Sequence, residues 1–129
     1  MRRTTPAVPQ EVIVHGGQHF LTRQTRVCAK PEMAALIRDA LRRAGLPLPD
    51  ASAPGDGVIA FELGDDQRLG PQGYWMLITE RSVDARALTD DGLRRAAEAL
   101  RLLMHAQTGH FGQTRGWQLP CVEITERGQ

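Results

Sequence analysis

A chain of 129 residues has the length of one domain and buries roughly two-thirds of its unfolded surface on folding. Its hydrophobic share of 41% and its charged share of 24% are ordinary, which excludes a disordered tail. The formal net charge of +1 neither steers the molecule toward nucleic acid nor excludes it, and the absence of an apolar run near ~20 residues excludes a membrane span.

The first ten residues predict a flexible arm, because they contain two prolines and two arginines. They also lack the apolar core of a secretory signal, so we expect a cytoplasmic location. Cys28 and Cys121 are far apart and form no CxxC motif, which favours two free, buried thiols over a redox pair. Lys30 is the only lysine, a bias typical of GC-rich bacterial genomes.

Residues 11–15 and 18–28 predict two strands joined by Gly16-Gly17, because glycine pairs supply the positive φ angles of a tight hairpin turn. The second strand alternates apolar and polar side chains in its middle, which indicates that one of its faces contacts water.

Pro31 predicts the start of a helix, since proline suits the first turn, where its missing N–H would be unpaired. Apolar side chains follow at helical spacing as far as Ala44, and Gly45 then favours the left-handed conformation that ends a helix. The proline-rich residues 46–56 predict an ordered crossover rather than a linker between domains.

Two short apolar runs, residues 58–63 and 74–79, predict buried strands, and the loop between them contains the glycine and aspartate residues typical of a hairpin connection. A second helix is predicted over about residues 90–105, with Thr89 as its N-cap. Residues 113–125 predict a last strand, and Pro120 places it at a sheet edge or a bulge, because proline lacks the ladder donor.

The element order is therefore β-β-α-β-β-α-β. Without its first strand this is the split β-α-β-β-α-β pattern of ferredoxin-like folds, so we predict an α+β two-layer sandwich. Its sheet is mostly antiparallel, with both helices on one face. Residues 11–125 form this single domain, and residues 126–129 are expected to fray.

No motif predicts a catalytic or metal centre. The sequence lacks the glycine-rich phosphate loops and the GxSxG nucleophile motif. His15 and His19 flank the predicted turn, but their rings project to opposite faces in a two-residue hairpin, which disfavours a shared metal ion. Asp65 and Asp66 do not match the spacing of a calcium loop. We therefore expect no cofactor and no metal.

Arginine and aromatic side chains form the candidate interaction site. Tyrosine, tryptophan and arginine are enriched at binding hot spots, and an open sheet face that carries them suits a protein or nucleic-acid partner. The residues that we select as contacts are Trp75, Trp117, Arg23, Arg26 and Arg115.

These patterns favour a small non-catalytic regulatory or accessory protein that binds another protein or a second copy of itself, as a homodimer that covers the open face. A nucleic-acid-binding module that uses the same arginines and aromatics is the first alternative. A small enzyme or ligand-binding protein with a pocket containing His15, His19 or His110 is the second. None of these interpretations involves a membrane.

Overall fold

One mixed sheet and two helices make up the computed structural model, which describes residues 10–112 and 114–128, without the side chains of His110, Thr114 and Arg115. The predicted N-terminal arm lies outside the described residues except for its last member. In chain order the elements are β1 Gln10–Leu21, β2 Arg26–Cys28, α1 Pro31–Ala40, β3 Val58–Leu63, β4 Tyr74–Ile78, β5 Val83–Ala87, α2 Asp90–Leu103, β6 His105–Thr108 and β7 Thr114–Glu126.

The strands follow the order β1-β7-β4-β5-β3-β2, and β6 pairs with β7 on the same edge as β4. The pairs β2/β3 and β3/β5 are parallel, and the other described pairs are antiparallel. The prediction of an α+β domain with a mostly antiparallel sheet and two helices is therefore confirmed.

Both helices contact each other and cover one face of the sheet. The hydroxyl of Thr89 accepts a hydrogen bond from the N–H of Gly92 at 3.2 Å, which confirms the predicted N-cap of α2. Helix α1 ends at Ala40, before the predicted Ala44, and a short 3₁₀ turn over Arg42–Ala44 follows it. Gly45 ends this turn with a φ of 67°, the expected left-handed conformation. No helix in the described residues is long and apolar enough to cross a bilayer. The core between helices and sheet includes Ile37, Leu93, Leu100, Ile59, Met76, Ile78 and Val83.

The predicted hairpin at Gly16-Gly17 is wrong. Both glycines have the expected positive φ, 81° and 85°, but they lie in a bulge within the single long strand β1. Val14 pairs with Val122 and Gln18 with Pro120, so β1 accommodates extra residues over this stretch. The chain turns later, at residues 22–25, where the N–H of Thr22 donates to the hydroxyl of Thr25 at 2.9 Å.

The ferredoxin-like order of strands is not found. A split β-α-β unit has another strand between the two strands that flank the helix. Here β2 and β3, which flank α1, pair directly and in parallel. The predicted hairpin of residues 58–63 with 74–79 is also wrong, because β5, which was not predicted, lies between β3 and β4.

The last strand, β7, is not at the sheet edge, since β1 pairs along one side of it and β4 and β6 share the other. Leu119, Pro120 and Val122 nevertheless have a paired neighbour only in β1 among the described residues, because β6 pairs with β7 as far as Gln118 and the pairing of β4 with β7 starts at Glu123. Pro120 lies in this segment, where a missing ladder donor is tolerated.

Candidate ligand-binding cleft on the open sheet face

The helix-free face of the sheet carries a row of side chains that crosses four strands. Arg86 on β5 lies opposite Trp75 on β4, Trp75 lies opposite Thr125 on β7, and Thr125 lies opposite Glu11 on β1. Directly paired residues share a face, and neighbouring strands are ~4.8 Å apart, so the row spans roughly 14 Å.

Alternation within each strand produces this row. In β4, Tyr74, Met76 and Ile78 are buried beneath the helices, which leaves Trp75 half-buried on the opposite face. In β5, Ala85 and Ala87 are buried in the same way, and Arg86 between them is exposed. The row therefore follows from the same period of two that forms the core.

The connection between β3 and β4 forms a wall beside the row. The carboxylate of Asp66 accepts a hydrogen bond from the backbone N–H of Arg68 at 3.1 Å and caps the short turn Gln67–Leu69. Leu69 is buried and holds the turn against the core. The N–H of Gly128 donates to the carbonyl of Leu69 at 2.9 Å, which joins the chain beyond β7 to the same wall.

The row of side chains and the wall beside it line an open cleft of about 560 Å³. This volume falls within the ~300–1,000 Å³ of small-molecule sites. The floor consists of Arg86, Trp75, Thr125, Glu11 and Glu123, and the wall includes Asp65, Asp66, Arg68, Leu69 and Arg127.

Most charged groups of the cleft are paired with one another. Arg127 contacts Glu11 at 2.9 Å, and the Nε of Arg68 contacts Asp66 at 3.0 Å. Hydrogen bonds from Arg68 lower the pKa of the Asp66 carboxyl below its ordinary value.

Three further groups determine what the cleft offers to a ligand. The indole N–H of Trp75 donates to Oε2 of Glu123 at 2.7 Å and thereby fixes the ring. Within the described residues, Arg86 and Asp65 have neither a hydrogen bond nor an ion pair from their side chains. One guanidinium and one carboxylate are therefore left to contact a bound molecule.

The structure does not bring the two predicted tryptophans together. Trp117 lies eight residues before Thr125 on β7, and Thr125 is the residue opposite Trp75. At ~3.3 Å per residue the two rings are attached roughly 26 Å apart. Trp117 packs against the core, with the guanidinium carbon of Arg43 5.1 Å from its ring centroid. Trp75 lines the cleft, and Trp117 does not.

The predicted arginines also lie outside the cleft. Arg23 is exposed in the turn after β1, and Arg26 is exposed on the edge strand β2. Arg115 belongs to β7, but its side chain lies outside the described residues. The three arginines that line the cleft, Arg68, Arg86 and Arg127, were not selected from the sequence. Only the pairing of β4 with β5 places Arg86 beside Trp75.

No histidine whose side chain the structure describes lines the cleft. His19 is buried, and its Nδ1 donates to the carbonyl of Thr79 at 2.9 Å. Its Nε2 is buried without a hydrogen-bond partner in the described part of the chain, and burial lowers the pKa of the imidazole. The described side chains contain no cluster of three or more histidine, cysteine, aspartate or glutamate residues suited to a metal ion.

Among the described residues, neither cysteine side chain has a hydrogen bond or an ion pair. Cys121 is buried, and burial raises the pKa of its thiol, the opposite of what a nucleophile at neutral pH requires. Cys28 is a free, half-buried thiol at the end of β2.

The family model described as glycosyl hydrolase family 20, domain 2, matches residues 2–126. No curated protein matches the sequence.

Several solved glycosidases of this family contain a similar fold. The GH20 β-N-acetylhexosaminidase of Streptomyces coelicolor A3(2) matches with a TM-score of 0.74 and 24% identity over 90% of this chain and 24% of that chain. The N-acetyl-β-hexosaminidase of Streptomyces plicatus matches with a TM-score of 0.72 and 24% identity over 97% of this chain and 27% of that one. The GH20 exo-β-N-acetylglucosaminidase of Vibrio harveyi matches with a TM-score of 0.68 and 18% identity over 96% and 20%. The chain thus spans between a fifth and about a quarter of the length of each.

These matches overturn the functional hypotheses drawn from the sequence. A regulatory protein that acts by binding another protein is wrong, and so are the nucleic-acid module and the histidine pocket, because the chain matches a domain of glycosidases over residues 2–126. The homodimer, the cytoplasmic location and the five selected contact residues stay predictions.

Proposed function

Because the chain belongs to the family of glycosyl hydrolase family 20, domain 2, we propose that it is the accessory domain of a β-N-acetylhexosaminidase. In this role it contributes no catalytic residue of its own. Its partner is the catalytic part of that enzyme, which it contacts and stabilises.

The match over residues 2–126 carries this proposal. The solved glycosidases are about four times as long as the chain, so most of each enzyme lies outside the matching domain. A domain of this size is too small to contain both this fold and a separate catalytic domain.

The chemistry of the cleft supports an accessory role over a catalytic one. Glycoside hydrolysis needs a carboxyl group whose pKa is raised, so that it protonates the leaving oxygen. In the cleft the contacts of Arg68 lower the pKa of Asp66 instead. Glu123 accepts the indole N–H of Trp75, and Glu11 pairs with Arg127.

Immunoprecipitation from the source cells tests the proposal. An antibody against the purified chain is used on a cell extract, and the precipitate is assayed for release of nitrophenol from a nitrophenyl N-acetyl-β-glucosaminide. We expect hexosaminidase activity in the precipitate, lost when the free chain competes for the antibody. The purified chain itself should release no nitrophenol.

Two outcomes contradict the accessory role. Hydrolysis by the purified chain would show that it has an active site of its own. Precipitation of the chain from active extract without any hexosaminidase activity would show that it does not work as part of such an enzyme, whether the catalytic domain lies in the same polypeptide or in another.

A further inference from the structure

We propose that the cleft on the open sheet face binds a neutral oligosaccharide containing N-acetylhexosamine units. Trp75 provides the surface on which a sugar ring packs, and Arg86 and Asp65 provide hydrogen bonds to its hydroxyl groups. The chemical class of the ligand rests on the proposed function, whereas the existence of the site rests on the cleft itself.

Trp75 has the properties of a platform for a sugar ring. Its neighbours on either side, Arg86 and Thr125, are polar and line the same cleft, so the ring is the main apolar surface of the floor. The bond from its indole N–H to Glu123 fixes the orientation of the ring before a ligand arrives. A fixed side chain loses little conformational entropy on binding.

The charges of the cleft favour a neutral ligand. Three arginines and four carboxylates line it, and two arginines are already engaged with Glu11 and Asp66. A strongly anionic ligand would meet an excess of carboxylates, and a cation would meet the guanidinium of Arg86. A neutral polyol avoids both costs, because each hydroxyl group donates to one partner and accepts from another.

The two unpaired groups, Arg86 and Asp65, form the hydrogen bonds to the hydroxyl groups of the sugar. Arg86 extends from the floor and Asp65 from the wall, so a ligand between them is contacted from two sides. A guanidinium only donates and an ionised carboxylate only accepts, and sugar hydroxyls satisfy both. Hydrogen bonds to charged groups are the stronger ones, which assigns Arg86 a large part of the affinity.

A fluorescence titration tests the site on the purified chain. The chain contains two tryptophans, so the Trp117→Phe variant leaves Trp75 as the only indole. Chitotriose is added to millimolar concentration, and we expect a saturable change in the emission of Trp75. A second titration on the wild-type chain, followed by amide chemical shifts, makes the result independent of the variant's folding.

Matched variants locate the binding site. Replacing Arg86 by alanine should weaken chitotriose binding about tenfold, because it removes a charged hydrogen-bond donor. Arg81→Ala removes an exposed arginine outside the cleft and should leave the affinity unchanged. Trp75→Phe keeps an aromatic ring and tests the platform with less risk to folding than alanine.

Three outcomes overturn the proposal. The first is the absence of saturable chitotriose binding. The second is binding that Arg86→Ala and Arg81→Ala weaken equally. The third is saturable binding of inorganic phosphate without binding of chitotriose. Hexosaminidase activity in the immunoprecipitate, combined with any of these results, would leave the accessory role intact and remove only the saccharide site. Binding of chitotriose without that activity would remove the accessory role alone.

Discussion

At the scale of single residues, the buried imidazole of His19 links folding to pH. Its Nδ1 carries the proton donated to the carbonyl of Thr79, so its Nε2 holds the lone pair. Protonation of Nε2 would bury a second N–H without a partner in the described structure. Burial accordingly lowers the pKa of His19 in the folded chain, and the hydrogen bond to Thr79 offsets part of this effect.

We therefore expect the chain to lose stability as the pH falls. The unfolded imidazole binds a proton near its ordinary pKa of 6.5, whereas the folded one resists protonation until a lower pH. The contribution of His19 is fully present above pH 6.5 and is lost as the pH decreases toward the folded pKa. Thermal unfolding between about pH 7.5 and 5 measures this loss.

The His19→Asn variant separates the loss of stability caused by protonation of His19 from the loss caused by protonation of carboxylates. Asparagine keeps a donor near the position of Nδ1 but does not titrate, so the decrease in melting temperature below pH 6.5 should be smaller than in the wild type. His15→Asn, at an exposed position, should follow the wild-type curve. Parallel curves for wild type and His19→Asn would contradict the assignment.

Sequence alternation predicted some residue environments and not others. That one of Tyr74 and Trp75 faces the core follows from their adjacency in a strand, and Tyr74 is the buried one. Trp117 was selected as a contact residue from its residue type, and alternation did not predict how much of its ring is exposed; the ring is half-buried. The sequence does not reveal that Arg43, in the short turn after α1, lies over this ring.

At the scale of elements, α2 approaches the β3–β4 connection so closely that its first turn requires glycine. A Cβ at Gly92 would overlap the carbonyl oxygen of Gly73 and lie 2.6 Å from the Cβ of Ala87. Alanine favours a helix by ~1 kcal/mol over glycine, but overpacking costs about 1–3 kcal/mol. We expect Gly92→Ala to lower the free energy of unfolding.

Urea denaturation measures this change. Gly55→Ala is the matched control, because a Cβ there meets no atom within 4 Å and should be tolerated. A Gly92→Ala variant as stable as Gly55→Ala would show that α2 lies farther from the sheet than in the structure.

The buried face of α2 yields a second prediction. Leu100 is fully buried among core side chains, and its replacement by alanine should lower the free energy of unfolding by about 2–5 kcal/mol. Leu102, two residues away, is 69% exposed, and Leu102→Ala should change stability by less than about 0.5 kcal/mol. Equal losses in the two variants would mean that the helix is rotated.

Element boundaries were predictable where one signal dominated. The helices have strong periodicity and marked starts, at Pro31 for α1 and at Thr89 for α2, whereas α1 ends at Ala40 and not at the predicted Ala44. Strand β5 was missed because Val83-Asp-Ala-Arg-Ala87 is short and its buried residues include two alanines, which are poor strand formers. Without β5, neither the position of β4 in the sheet nor the row of side chains along the cleft floor could be predicted from the sequence.

At the scale of the whole molecule, the sheet has a centre and edges that differ in stability. Strands β4 and β5 have a paired strand on each side, whereas β1 pairs only with β7 among the described residues. Amides in β4 and β5 should therefore exchange with solvent only through global unfolding, and the outward-facing amides of β1 should exchange much faster.

Native-state hydrogen exchange by nuclear magnetic resonance measures this difference. The paired amides of Leu77 and Asp84 serve as the reference for the centre. If the β1 amides that point away from β7 are protected as strongly as those of Leu77 and Asp84, an additional strand or partner covers that edge in solution.

The strand order could not be derived from the sequence, because pairing over long separations leaves no local signal. The pattern at Gly16-Gly17 is compatible with a hairpin and with a bulge, and only the partner strand decides between them. The cleft depends on this order, since it joins residues from β1, β4, β5 and β7 with a loop between β3 and β4. Its aromatic and charged residue types were visible in the sequence, but their arrangement was not.

The pairing of β1 with β7 also sets the order in which the chain can complete its fold on the ribosome. Gln10 pairs with Glu126. The first described strand to be synthesised, β1, therefore cannot pair until β7, the last strand, has been synthesised. Until then its run Val12-Ile13-Val14 is an unpaired apolar segment of the nascent chain. Such late closure slows folding and exposes a segment prone to association, and it makes β1 the last strand to join the sheet during synthesis.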